Sequence, residues 1–278
     1  MNRVSAATLV ILAASCAVAQ VSPRVIFSKI PTHPTSIIPG AKDLDGNAVS
    51  TNFRALEDLT VDPNNANSWV LKARTQLGSD LETCLIASRT GTPFMLAQEG
   101  QFAPGSDPSH RFEFFASGMG RYNDDGVHVF GFRTRPNRSG SAGSLTDGHR
   151  IAVWDGNTID VRIKQGDSIT GLVDTTTQGD ERFGNSVGSM HILNDGTIGT
   201  QDSTITNISS TRRPALMYDN AGFQQSNVSA LTALDGSPST WATFLTNTFY
   251  TSPDGQHWIV LGRRAGQATA DDLMAYNN

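Results

Sequence analysis

Phe112-Glu113-Phe114-Phe115-Ala116-Ser117, Asn123-Asp124-Asp125-Gly126, Val127-His128-Val129-Phe130-Gly131-Phe132, Arg150-Ile151-Ala152-Val153-Trp154, Asp155-Gly156-Asn157 and Ile159-Asp160-Val161-Arg162-Ile163 fill most of the stretch from Phe112 to Gly171. Short apolar or alternating runs parted by acidic-Gly turns mark β-hairpins, because Asn, Asp and Gly reach φ > 0 at low cost. Four such runs in succession predict a four-stranded antiparallel meander.

The same pattern recurs on both sides. Gly126, Gly196 and Gly255 each close an acidic turn (Asn123 to Gly126, Asn194-Asp195-Gly196, Ser252-Pro253-Asp254-Gly255), at separations of 70 and 59 residues. One period upstream, Asp62-Pro63-Asn64-Asn65-Ala66-Asn67 leads into Trp69-Val70-Leu71-Lys72-Ala73. Third strands align as Leu85 to Ser88, Ile151 to Trp154 and Ala215 to Tyr218, and fourth strands are expected to end at Ala103-Pro104-Gly105, Ile169-Thr170-Gly171 and Leu234-Asp235-Gly236. Repeated four-stranded units of this size predict an all-β fold, a β-propeller with blade units over 53–105, 112–171, 183–236 and 241–278. The last unit offers Trp241 to Tyr250, His257 to Leu261 and Leu273 to Tyr276, with no fourth strand. Residues 24–40, with the run Val25 to Ile30 and the ending Ile38-Pro39-Gly40, are expected to close the ring as that missing strand, since closure removes sticky sheet edges. Two outcomes stay open: a closed four-bladed ring, or the front of a larger one, which the stop at Asn277-Asn278 just after a third strand favours.

Composition agrees with this reading. Gly 26, Pro 12 and only 17% charged residues suit a turn-rich β protein rather than a helical bundle. Residues 1–19 read as a signal peptide, with Arg3, an apolar stretch from Ala6 to Ala14 and a small-residue cleavage site at Ala17-Val18-Ala19, so export to the periplasm, cell surface or medium is expected. Cleavage leaves 20 Lys and Arg against 26 Asp and Glu, which argues against a nucleic-acid partner. The mature chain keeps one cysteine, Cys84, inside an apolar run; it cannot form an intrachain disulfide and reads as a small buried hydrophobe. No other run is long enough to be a transmembrane helix.

At the turn Ser252-Pro253-Asp254-Gly255-Gln256-His257-Trp258 the chain resembles the Ser-Pro-Asp-Gly turn of TolB-like propeller repeats. More broadly, the mature chain is similar to uncharacterised secreted tandem-repeat proteins of planctomycete-type bacteria, many of which are anchored through a C-terminal sorting helix. Ser28-Lys29-Ile30-Pro31, Ala55-Leu56-Glu57-Asp58, Gly184 to Ser189 and Ser210 to Ala215 carry that likeness. It implies a fold and a surface or secreted address, not an activity, and no sorting helix is legible here.

In a meander blade, the turns joining first to second and third to fourth strands lie on one face of the ring. The long insertions, Gly105 to Arg111, Arg135 to Asp147 and Leu172 to Glu181, fall on the other, where binding loops are expected. Arg74, Arg133, Arg135, Arg263 and Arg264 end second strands on that face, and Arg212 and Arg213 follow on the third unit. Converging guanidinium groups would suit carboxylate or sulfate, whereas arginines paired with neighbouring Asp and Glu would be structural. Asp43-Leu44-Asp45-Gly46-Asn47 starts like a calcium loop, but Arg54 and Ala55 stand where its glutamate belongs, so an Asx turn is expected and no metal site. The six histidines lack metal-ligand spacing, and neither a nucleophile elbow nor a phosphate loop occurs, so no cofactor is implied. The sequence therefore predicts a non-catalytic binding or structural module for an extracellular glycan or protein. A carbohydrate hydrolase or lyase is the alternative; its carboxylates would come from different units, for instance Asp58 with Asp180 or Glu181.

Overall fold

Several hairpin turns are closed by one of their own side chains. Asn123 Oδ1 accepts from the backbone N–H of Asp125 (3.1 Å) and Val127 (3.0 Å), Asp155 Oδ1 from Asn157 and Thr158 (2.8 Å each), and Asp254 Oδ1 from Gln256 (3.0 Å). Asp43 does the same with Asp45 (2.9 Å) and Asn47 (2.8 Å), so the calcium-like segment is an Asx turn. Gly255 is fixed twice over: its φ is +70°, and a Cβ there would meet Leu193 Cδ1 at 2.5 Å.

The computed structural model describes residues 25–104, 110–116, 120–136, 148–172, 181–206, 212–232, 236–266 and 272–277. The turns organise them into four antiparallel sheets in chain order. The first holds β1 (Phe53–Asp62), β2 (Asn65–Thr75), β3 (Thr83–Ser88) and β4 (Phe94–Gln98), and the second holds β5 (His110–Phe115), β6 (His128–Pro136), β7 (His149–Trp154) and β8 (Ile159–Lys164). The third holds β9 (Glu181–Ile192), β10 (Ile198–Thr206), β11 (Arg212–Tyr218) and β12 (Ala221–Gln225). The last contains β13 (Ala230–Thr232), β14 (Pro238–Phe244), β15 (Tyr250–Thr251), β16 (Trp258–Arg264) and β17 (Asp272–Tyr276). Here β14 and β15 pair with successive parts of one edge of β16, so together they act as an interrupted first strand, and β17 pairs with the other edge.

Consecutive sheets pack face to face. Val70, Leu85 and Ala87 of the first sheet meet Phe112, Phe130, Phe132 and Trp154 of the second in one buried cluster. The opposite face of the second sheet, with Val129, Ile151, Val153 and Ile163, packs on Phe183, Met190, Ile198 and Met217 of the third. Leu216 then joins Trp241, Phe244, Phe249 and Val260 between the third and fourth. A second device stitches the turns themselves. Asn64 Nδ2 donates to the Asp124 carbonyl (3.1 Å), Asn123 Nδ2 to that of Leu193 (3.1 Å), and Asn194 N–H to that of Pro253 (2.8 Å). This is a propeller-type arrangement: all-β, with four-stranded meanders set side by side and their first strands and turns gathered toward one axis.

Two expectations are corrected. Fourth strands end earlier than predicted, at Gln98, Lys164 and Gln225. The Ala103, Ile169 and Ile38 landmarks lie instead in linkers that bridge onto the next first strand, through Phe102–Arg111, Ser168–Arg182 and Ile37–Asn52. The periodic Pro-Gly and Thr-Gly endings therefore mark the passage between sheets, where a buried apolar residue plugs the join. Residues 25–30, expected as a closing strand, form no strand; a short 3-10 turn follows at Pro34–Ser36. Phe27 packs on Phe53 and Trp69 (ring centroids 5.0 and 5.8 Å), so the segment caps the outer face of the first sheet rather than completing the last. The signal-peptide residues lie outside the described set. Among the described residues no helix is long and apolar enough to cross a membrane.

Candidate functional site

The predicted arginines all sit at the sheet end opposite the tight turns, but spread over four sheets. Arg74 binds Glu57 and Glu82, and Lys72 adds a second contact to Glu57 at 3.2 Å. Burial alone would raise the Glu57 carboxyl, but Arg74 and Lys72 outweigh it and leave its pKa lowered. Arg133 Nε lies 2.9 Å from Glu113 Oε2, without the alignment of a hydrogen bond, and its guanidinium sits 5.9 Å from the Phe114 ring centre. Arg135 reaches across to the first sheet and donates to Asp80 Oδ1 at 2.8 Å. Arg213 and Arg263 are half-buried and partnered, Arg264 is half-buried opposite Trp241, and the Arg212 side chain lies outside the described set. Arg74, Arg133 and Arg135 thus meet carboxylates of their own or the neighbouring sheet. Most of the long loops of that face, 105–109, 137–147 and 173–180, also lie outside the described residues.

On the tight-turn side a different set converges. The four inner turns open at Asp62, Asn123, Leu193 and Ser252, and two residues before each stand Thr60, Arg121, His191 and Tyr250. A cavity of about 530 Å³ is lined by Thr60, Val61 and Pro63, by Arg121 to Asp124, by His191 to Asn194 and by Thr251 to Pro253, so all four sheets contribute. A second, of about 300 Å³, shares Arg121 and His191 with it and is also lined by Asp58, Ser189, Asn247 and Tyr250.

Each member is held differently. The exposed Arg121 guanidinium lies 5.4 Å from the centre of the Tyr250 ring, and among the described residues it forms no ion pair. His191 Nε2 is 2.7 Å from the Phe249 carbonyl, which fixes the proton on that nitrogen, and the Phe249 N–H donates to Ser189 Oγ at 3.2 Å. Burial lowers the His191 pKa, the nearby Arg121 charge adds to this, and the Phe249 carbonyl offsets part of it. His191 is therefore a neutral imidazole at neutral pH. Thr60 Oγ1 is 2.8 Å from Nε2 of His128, a fully buried side chain whose pKa burial pushes down to about 3; it clamps the first sheet to the second and takes no part in the cavity. Cys84 is likewise buried, its thiol pushed up to about 12, as a packing residue.

No protein-family model matches the chain, and no curated protein matches it. Several solved structures overlap with it, including the two that follow. One is a luciferin-regenerating enzyme, at 8% identity over 77% of this chain and 71% of that one, with a TM-score of 0.25. The other is regucalcin, a calcium-binding protein from Agrobacterium tumefaciens, at 11% identity over 81% and 75%, with a TM-score of 0.23. Likenesses of this size carry no argument about activity, and the propeller-type fold stands on the sheet order and packing described above.

Arg121 is the residue that the sequence reading missed. The signal was there: its place two residues before the turn equals those of Thr60, His191 and Tyr250. Strand ends drew attention instead, because loops and strand ends are the usual places for binding residues.

Proposed function

We propose that the mature chain is an exported, non-catalytic binding module of the cell surface or periplasm that takes an acidic group of a glycan or peptide at the hub. The observation that carries this is Arg121, an exposed cation with no ion pair among the described residues, standing where two cavities meet and next to an aromatic ring. A guanidinium fork in a concave site matches a carboxylate bidentately, and Arg121 is the cation in both linings, beside Asp124 in one and Asp58 in the other. Neutral His191 adds no second charge beside it.

The enzymatic alternative needs two carboxylates facing each other. Asp58 lines the inner cavity, whereas Glu181 opens β9, nine residues before Met190 of the same cavity. At about 3.3 Å per residue that is roughly 30 Å along the strand. Asp180 lies outside the described set. Export is supported by the pattern over residues 1–19 alone.

Calorimetric titration of residues 20–278 with acidic oligosaccharides and acidic peptides tests the reading. Binding by at least one probe is expected, weakened about 10- to 100-fold in Arg121→Ala, as for a hydrogen bond to a charged group, and unchanged in Arg133→Ala. The opposite dependence, on Arg133 and not Arg121, would move the site to the arginine end.

A further inference from the structure

Arg121 and His191 line both hub cavities. Arg121 is tied to β6 through its carbonyl, which accepts from Val129 N–H at 3.5 Å, and His191 lies on β9. The second and third sheets are each packed on both faces, so the pair is placed by closed sheets. Both side chains border one ring: the Arg121 guanidinium lies 5.4 Å and the His191 ring 5.8 Å from the centre of Tyr250. What each has left to offer a ligand differs. His191 gives its Nε2–H to the Phe249 carbonyl at 2.7 Å, so Nδ1 carries a bare lone pair. No described group donates to Nδ1, and it is not among the sealed polar atoms that lack partners, so it opens on the cavities that His191 lines. The residue as a whole is only 8% exposed, which fixes the direction of that lone pair. Two residues back on the strand, Ser189 Oγ accepts from Phe249 N–H at 3.2 Å, and its own proton has no acceptor among the described residues.

We infer that the hub takes a saccharide, with a ring hydroxyl donating to Nδ1 of His191 while a neighbouring oxygen of the same sugar accepts from Arg121. The inference rests on the hub reading given above and names its ligand class. Hydrogen-bond complementarity makes the selection. The guanidinium only donates, Nδ1 of a neutral imidazole only accepts, and the Ser189 hydroxyl does both. Asp58 and Asp124 add acceptors to the same linings, and Asp124 Oδ2 already takes a bond from Asn194 Nδ2 at 2.6 Å. A group made of acceptors alone, such as a bare carboxylate, satisfies Arg121 but faces those carboxylates and leaves Nδ1 without a donor once water is displaced, which is costly. Each hydroxyl of a sugar gives one bond and takes up to two, and hydroxyls on adjacent ring carbons lie close enough to serve a donor and an acceptor side by side. An acidic side chain of a peptide brings acceptors only, with its nearest N–H back on the main chain. A cavity of about 300 Å³ is at the small end of ligand sites, which suits a single sugar unit.

The test compares glucuronate with glutarate, a carboxylate probe without hydroxyls, on the mature chain by calorimetry and by long-range proton–nitrogen NMR of the histidine rings. Glucuronate is expected to bind about 3- to 10-fold more tightly than glutarate, the effect of one hydrogen bond. It should also shift the Nδ1 resonance of His191, which glutarate leaves in place. In His191→Gln the amide can still donate to the Phe249 carbonyl but puts no acceptor at the Nδ1 position. This variant should lose the preference for glucuronate and bind glutarate as the parent chain does, whereas a packing defect would weaken both probes. Arg121→Ala should weaken both. The nitrogen shift is read on the parent chain, so it decides even if a variant does not fold. Equal affinity for the two probes, an unmoved Nδ1 signal with glucuronate bound, or a preference that survives in His191→Gln overturns the saccharide assignment; the hub reading then stands if Arg121→Ala weakens binding. Absence of Arg121-dependent binding of either probe overturns both.

Discussion

The second and fourth sheets are built from the same kind of turn and the same kind of strand, yet only one of them is closed in. The second is packed on both faces: Phe130, Phe132 and Trp154 point to the first sheet, and Val129, Ile151 and Val153 to the third. Among the described residues the fourth is packed on one. Val260 and Trp241 point into the cluster shared with the third sheet, while Leu261, Met274, Tyr250 and Tyr276 of its other face are solvent-exposed. Two histidines make the difference concrete. His128 and His257 both stand two residues after a turn glycine. His128 is buried against Thr60 of a neighbouring sheet, and His257 is exposed on the wall of a cavity of the fourth sheet. A repeat fixes where a side chain starts; the neighbouring sheet decides what it does.

Phe130→Ala tests the closed side of this comparison and should show the largest effect, about 3–5 kcal/mol by urea unfolding, because it empties a fully buried ring position. A loss below about 1 kcal/mol would mean that the first and second sheets do not share a core. Acid comes next. Below pH ~6.5 the unfolded chain protonates His128, while the folded chain resists down to about 3, so folded stability is lost as pH falls, by about 1.4 kcal/mol per unit or roughly 2 kcal/mol at pH 5. His128→Gln should shrink the acid slope; an unchanged slope would show that His128 is not held neutral by burial in the closed sheet. Asp202, buried on β10 with its pKa raised, has the opposite slope, so the variant is compared with the parent chain at the same pH. Trp258→Ala, on the half-buried side of the fourth sheet, should cost less than Phe130→Ala, about 1–2 kcal/mol. Tyr276→Ala should change unfolding by under about 0.5 kcal/mol, as expected for an exposed position. A stability loss as large as that of Trp258→Ala would show that Tyr276 is a packing residue instead.

Much of the fold was legible because turn chemistry is local. Asn123, Asp155, Asp195 and Asp254 close their turns on amides two to four residues away, so the residue pattern alone states where hairpins form. The ends of fourth strands were less legible. Ala103 and Ile169 look like strand ends, but their burial comes from the next sheet, a contact that spacing along the chain does not encode. Residues 25–30 carry a strand-like run whose partner was misassigned for the same reason: Phe27 finds Phe53 and Trp69 nearby before any strand of the last sheet.

The candidate site divides in the same way. Which arginines exist was plain; which of them are paired was not, because Arg135 finds Asp80 only when two sheets meet. The sequence by itself determined the repeated meander, its acidic turns and the apolar alternation of its strands, since each depends on residues within reach of a single hairpin. Only the tertiary structure decided that Thr60, Arg121 and His191 line one cavity, and that Arg121, His191 and Tyr250 line a second. Those facts follow from how separate sheets pack about an axis, and side chains some 60 residues apart are brought together by that packing rather than by their order in the chain.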